Sequence, residues 1–186
     1  MNNLDNPFYH RGAIRHAHHF WGRTAETAQI LGLLRNGQSV SLIGPRRIGK
    51  SSFFLHLCRP EVRAPFDLAP PQALFVMVDC QELGGSPPDE VYEVLLMGLQ
   101  DAAAAADLTL PPAPEGDSYR GLDRALHHIS QQGLIIVFML DEFELLASNE
   151  QLTPYFFARL RGLTTKYGLA YLTASQHPLF LITADE

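Results

Sequence analysis

Cysteine is scarce in this chain: Cys58 and Cys80 are the only two in 186 residues. They form neither a disulfide framework nor a metal-knuckle spacing, and so point to a reducing, cytoplasmic setting. Long apolar runs are also missing. The longest, Leu134 to Leu140, is strand-sized, far short of the about 20 residues a spanning helix needs. The first residues hold His, Arg and Asn without an apolar centre, which is not how a signal peptide reads. Basic residues are outnumbered, 14 against 20 acidic, for a net charge of −6. That balance argues against nonspecific nucleic-acid binding by the domain as a whole. There is no internal repeat and no sign of a second domain. The rest, 46% hydrophobic and 18% charged, suits one soluble domain with a sizeable core.

One stretch organises that domain. Gly44-Pro45-Arg46-Arg47-Ile48-Gly49-Lys50-Ser51 has the spacing G-x-x-x-x-G-K-[ST] of a phosphate-binding loop. Its glycines permit a tight turn and close backbone approach to phosphate. Loop N–H groups and the start of the next helix make an anion cradle. Lys50 supplies a mobile positive charge, and Ser51 a hydroxyl for Mg²⁺. The flanks agree. Ser39 to Ile43 alternates like a strand, and Ser52 to Cys58 is apolar at helical spacing, stopping at Arg59-Pro60. A plain Gly-rich turn lacks that agreement. Arg46 and Arg47 either add charge toward a triphosphate or face a partner.

The remaining chain alternates strands and helices. Met1 to His19 reads as an extended arm whose four close histidines (His10, His16, His18, His19) could suggest a metal site but have no Cys or carboxylate at ligand spacing, and so read as solvated polar residues. Thr24 to Asn36 is a helix with Ala28, Ile30, Leu31, Leu33 and Leu34 on its apolar face and Gly37 as its stop. Ala73 to Asp79 and Leu134 to Leu140 are nearly continuous apolar runs, as in buried parallel strands. Between them lie two helices. The first is capped by Ser86 with Pro87 as its first residue, and has Val91, Val94, Leu95, Met97, Leu99 and Ala102 along one side. The second is capped by Asp117 or Ser118, with Leu122, Ala125, Leu126 and Ile129. A helix from Thr153-Pro154, striped by Tyr155, Phe156, Leu160 and Leu163, leads to a strand at Leu169 to Ala174. This order predicts a three-layer α/β sandwich, with helices on both faces of a mostly parallel sheet of four or five strands.

Ligands of such sheets sit at the carboxyl ends of the strands. Asp141-Glu142 follows the second apolar run there. Asp141 would orient a Mg²⁺ shell and Glu142 would polarise the attacking water; the alternative is a loop start or a helix cap. Glu144 reads as solvated or salt-bridged. Thr173 and Ser175, near the end of the last strand, are candidates to hold water or γ-phosphate, or else are turn hydroxyls bonding their own backbone. Phe20-Trp21-Gly22-Arg23 has two readings, a hydrophobic staple before a helix or a wall for a nucleotide base.

Four segments together carry a resemblance: Asn6-Pro7-Phe8, Phe20 to Arg23, Gly44 to Ser51 with Ser52, and Leu140-Asp141-Glu142-Phe143-Glu144. They resemble the AAA-type ATPases of the ASCE P-loop division, in particular the STAND signal-transduction NTPases and a related archaeal group. The resemblance covers about residues 6 to 178. It implies ATP as nucleotide, with Mg²⁺, and a switch-like role coupled to assembly with like subunits or a protein partner. It tips Trp21, Gly22 and Arg23 toward adenine. Two departures accompany it. Ser175-Gln176-His177-Pro178 stands where relatives carry an Arg-containing segment. The chain also reaches Glu186 without the lid that relatives add, so residues 1–19 read as arm, 20–178 as ATPase core and 179–186 as tail. An open nucleotide side predicts weak ATP binding and slow turnover by this chain alone. A nucleotide- or partner-binding module without useful hydrolysis is the competing expectation. A small-molecule kinase is a third, disfavoured because Arg120 and Arg124 form no lid pattern.

Overall fold

The computed structural model of the protein describes residues 12–14, 16 and 19–178. The Asn6-Pro7-Phe8 segment, most of the arm and the tail 179–186, with its apolar Leu179 to Thr183, lie outside the described residues.

The elements follow in the order α1 (Thr24–Arg35), β1 (Val40–Ile43), α2 (Lys50–Leu57), α3 (Pro60–Arg63), β2 (Ala73–Asp79), α4 (Pro88–Ala105), α5 (Ser118–Ser130), β3 (Ile135–Asp141), α6 (Phe143–Ala147), α7 (Pro154–Tyr167) and β4 (Ala170–Ser175). The four strands pair in parallel in the order β1-β4-β3-β2. Strand side chains alternate between faces, and here both faces are covered. On one, Leu74, Val76 and Val78 of β2 and Ile136, Phe138 and Leu140 of β3 pack with α4, α5 and α7. On the other, Val137 and Met139 of β3 and Ala170, Leu172 and Ala174 of β4 pack with α1 and α2. That is the predicted three-layer α/β sandwich, with four strands among the described residues. Continuous apolar runs in β2 and β3 follow directly from burial on both faces.

The path of the chain positions the ligand edge. From β1 it crosses by α2 to the far edge at β2, then returns through β3 to β4 with helices on the opposite face. The order in which strands are added thus reverses while all stay parallel, and a crevice opens beyond the carboxyl ends. Register fixes what stands there: Ile43 opposes Ser175, and Asp79 opposes Asp141. β1 is an edge of the described sheet.

Several local readings are corrected. Pro87, not Ser86, is the N-cap of α4, and Pro88 is its first residue. Ser86 is buried, and its carbonyl accepts from Asn149 Nδ2 at 2.8 Å. Met97 and Tyr155, placed on apolar stripes, are exposed, because the stripe that packs is narrower than the run of apolar letters. Ala28 is likewise exposed. A short helix, α6, follows the strand-end acids directly where the sequence suggests only a loop. The α5 cap is as expected one of the two residues named, Asp117, its Oδ1 accepting from the Arg120 N–H at 2.9 Å. Gly98 lets α4 lie close on β2: a Cβ there would meet Val76 Cγ1 at 2.6 Å.

Candidate functional site

The phosphate loop leaves β1 next to β4, and Gly44 N–H donates to Ser175 O at 3.1 Å. The loop turns back into α2 through Gly49 at φ 93°, a conformation only glycine adopts at little cost. Arg47 stands at φ 64°. Lys50 is only 9% exposed, and its Nζ donates to Gly44 O at 2.7 Å and Pro45 O at 3.1 Å. The ammonium is thus held against the loop, while Arg46 and Arg47 are exposed at its rim. Arg23 Nη2 donates to Ile48 O at 2.7 Å, which ties the Gly22-Arg23 element to the outside of the loop.

A polar cleft of about 530 Å³ lies over this loop. It collects Arg46, Arg47, Gly49, Lys50, Ser51 and Ser52 with Asp141, Glu142 and Glu144. The two halves separated by nearly a hundred residues in the chain are therefore brought together, as the sequence predicts. Asp141 is buried, and its Oδ1 accepts from Glu142 N–H at 3.0 Å. Glu142 takes the left-handed conformation, φ 49° and ψ 42°, at the head of α6. Left-handed non-glycine residues are few and strained; of five in the described residues, Arg23, Arg47 and Glu142 belong to this region. The acidic field is felt nearby. Burial, then Asp79, Asp141, Glu144 and Glu142, push the Cys80 thiol up to about 12, so it stays protonated and is no nucleophile.

Other assignments sort differently. Ser52 lines the cleft, yet its Oγ accepts from Ile14 N–H at 2.8 Å, so a residue of the arm is fastened to α2. Gly12 and Ala13 line the same cleft, a contribution that the aperiodic arm sequence gave no means of seeing. Phe20 stacks on the His56 ring at 4.2 Å and on Phe53 at 6.0 Å, both in α2, so it packs on the helix after the phosphate loop and not on the first turn of α1 as a staple would. Trp21 is 83% exposed and Gly22 is exposed; neither lines the cleft. Thr173 Oγ1 donates to Ser41 Oγ at 3.1 Å. Ser175 is fully buried and donates to His177 O at 2.7 Å. Neither hydroxyl faces the cleft, because the pleat and the following turn direct them elsewhere. Gln176 lines it instead, and its Nε2 donates to Glu144 Oε1 at 2.9 Å. Glu144 is half-buried, and the partner it takes is this amide rather than a cation. The strand-end rule that singled out Ser175 would have found Gln176 one residue later.

A second groove of about 330 Å³ runs beside β1 and α7. Its lining is largely apolar, including Val40, Phe143, Phe157 and Leu160, with Arg161, Ser39, Ser41 and Thr164 among its polar members. Among the described residues no His, Cys, Asp and Glu group has a metal-cluster arrangement, and no helix is long and apolar enough to cross a membrane.

Comparison with solved structures gives the same architecture at low identity. The Walker-type ATPase paby2304 of Pyrococcus abyssi superposes with a TM-score of 0.62 at 20% identity, over 89% of this chain and 48% of that one. The chain has a P-loop NTPase fold. The Aeropyrum pernix ORC1 protein, solved in complex with DNA, gives a TM-score of 0.60 at 15% identity over 89% of this chain and 42% of its own. Aeropyrum pernix ORC2, solved in ADPNP–ADP complexes, gives 0.60 at 13% over 84% and 41%. The chain thus spans less than half the length of these P-loop proteins. No protein-family model and no curated protein matches it.

Proposed function

We propose that this chain is an ATP-binding and ATP-hydrolysing P-loop domain of a signalling or assembly-type ATPase of the AAA/STAND kind. One observation carries the reading: Lys50 and Ser51 of the phosphate loop share a cleft with Asp141 and Glu142 of the β3 end. The loop N–H groups and Lys50 bind the phosphate chain. Ser51 and Asp141 are hard oxygen donors of the type Mg²⁺ takes, and would hold it together with nucleotide oxygens and water. Bound there, the ion would neutralise charge on the phosphates. Glu142 takes the proton of the attacking water. Trp21, Gly22 and Arg23 would form the adenine side, with the exposed indole of Trp21 as a stacking face. Arg46 and Arg47 add charge at the rim or meet a partner, either a second copy or another protein. Nucleic acid is not part of this reading, and the setting proposed is cytoplasmic.

A second reading, nucleotide binding without useful hydrolysis, is favoured by the turned-away hydroxyls of Thr173 and Ser175. Measuring ATP binding and turnover of the chain and of Glu142→Gln separates the two. Slow turnover that falls a further hundredfold or so in the variant, with binding retained, is the expected result for loss of a general base. Equal turnover in both would leave the binding-module reading standing.

A further inference from the structure

β1 is an edge strand of the described sheet, and the hydrogen bond just past its end shows which way its backbone groups point. Gly44 N–H donates to Ser175 O of β4. Backbone groups alternate in direction along a strand. Those of Val40 and Leu42 therefore also face β4, and those of Ser41 and Ile43 face outward, with no strand beyond them among the described residues. Side chains alternate between the two faces of the sheet. Val40 and Leu42 pack on the α1 and α2 side. Ser39 and Ser41 line the groove beside α7 on the other side, and Ile43 shares their face and is 48% exposed. Edge strands are ordinarily guarded by a charge, a proline or a bulge. Ser39-Val40-Ser41-Leu42-Ile43 carries no charge and no proline, and its register with β4 is unbroken. This edge is a bare template for another strand.

We propose that β1 is a homodimer interface: a second copy of this chain lays its own β1 antiparallel along the edge and joins the two sheets into one. The outward groups fix the register. A two-fold axis at Ser41 sets Ser41 against Ser41 of the second copy, and Ser39, just before the strand, against its Ile43. These are pairs of the kind that exchange both N–H···O bonds. An axis at Val40 or Leu42 would oppose groups already turned toward β4. Directly opposed residues share a face, so the exposed Ile43 of each copy stands beside Ser39 at the margin of the other copy's groove. Two serines leave room for it there, and Tyr171 and Leu160 supply apolar walls. The contact is self-complementary, as a two-fold interface requires. An unrelated chain would have to bring that match, whereas this one already carries it. Nucleotide has no part in the contact, which stands whether or not the cleft binds ATP.

The test is analytical ultracentrifugation of the full chain over about a hundredfold range of concentration, with hydrogen exchange of single amides at both ends of that range. The parent is expected to dimerise reversibly. The Ser41 and Ile43 amides should gain protection as concentration rises, while those of Val40 and Leu42 are protected throughout by β4. Ile43→Lys puts a charge on the edge and should weaken the dimer by at least about tenfold, the scale of one buried aliphatic side chain. Ser41→Pro removes an outward N–H without touching the ladder to β4, a change that edge strands accommodate, and should abolish the dimer. If Ser41→Pro fails to fold, Ile43→Lys decides alone. A parent that stays monomeric at every concentration overturns the proposal. So does a dimer that Ile43→Lys leaves unchanged, because its interface then lies elsewhere. Protection of the Ser41 amide that does not vary with concentration would give this edge to another segment of the same chain, and overturns the proposal as well.

Discussion

The two faces of the sheet are built for different ends. The α4, α5 and α7 face is dense with aromatic packing: Tyr92 lies 5.0 Å from Tyr119 and 5.1 Å from Phe156, and Arg159 sits 3.6 Å over Tyr119. Offset and edge-on ring pairs of this kind add to the burial they accompany. The α1 and α2 face has a smaller core, and next to it the backbone is strained at Arg23 and Arg47. Strain of about 1 kcal/mol or more at each such residue is tolerable only where surrounding structure overdetermines it. Here Arg23 is held by Ile48 O and by packing near Phe53, 5.6 Å from its guanidinium carbon. The difference teaches that stability and ligand geometry are separable in this chain. Changes in the aromatic packing should unfold it, and changes at exposed residues beside the phosphate loop should alter binding while the fold survives.

The largest expected effect lies on the aromatic face. Phe138 is fully buried in the middle of β3 and stacks near Tyr171 at 6.0 Å. Phe138→Ala removes a ring that no neighbour can replace, and should cost about 3–5 kcal/mol in urea unfolding. A loss below about 1 kcal/mol would mean that this face is plastic, and the contrast between the faces would fail.

The contrast also marks what could be read from the sequence. The sheet was legible because β2 and β3 are apolar at nearly every position, which only burial on both sides explains. Gly44 to Ser51 and Asp141-Glu142 were legible because strand-end position and residue type are both local properties. The Glu144–Gln176 bond was not, since it depends on how two turns meet across β3 and β4. Nor was the fastening of Ile14 to Ser52, which joins an aperiodic arm to a helix. Ser86 misled because a serine before two prolines is a common cap, yet the buried Asn149 needed its carbonyl. Tyr155 and Met97 misled because periodicity gives a face but not its width.

A smaller effect is expected at the clasp between α5 and α7. Asp123 accepts from Lys166 Nζ at 2.7 and 2.9 Å and from Tyr167 OH at 2.7 Å. Burial alone would raise the Asp123 carboxyl, but the hydrogen bonds from Lys166 and Tyr167 outweigh it and hold the group below its usual range. A depressed carboxylate contributes stability that is present above the unfolded value, about 4, and is lost as pH falls through the folded one. With Lys166 half-exposed the ion pair is screened, so Asp123→Asn should cost about 1 kcal/mol at pH 7. Denaturant melts at pH 7 and near pH 3 should show that gap closing in acid. A gap that stays constant would assign it to packing.

The smallest stability effect belongs to the ligand face. Trp21 is the single tryptophan of the chain and is almost fully exposed. Trp21→Ala should change unfolding free energy by no more than about 0.5 kcal/mol, as for a surface residue that supports no neighbour. Binding is where it should show. If the indole stacks on adenine, the variant loses about 0.5–1.5 kcal/mol of ATP affinity, while binding of inorganic tripolyphosphate, which has no base, is unchanged. ATP should also quench the indole fluorescence of the parent chain, and tripolyphosphate should not. Equal behaviour of the two ligands in both measurements would return Trp21 to the solvent surface. It would leave Phe20 as the sole working aromatic of the pair, its ring packed on His56 and Phe53 of α2 rather than on the nucleotide.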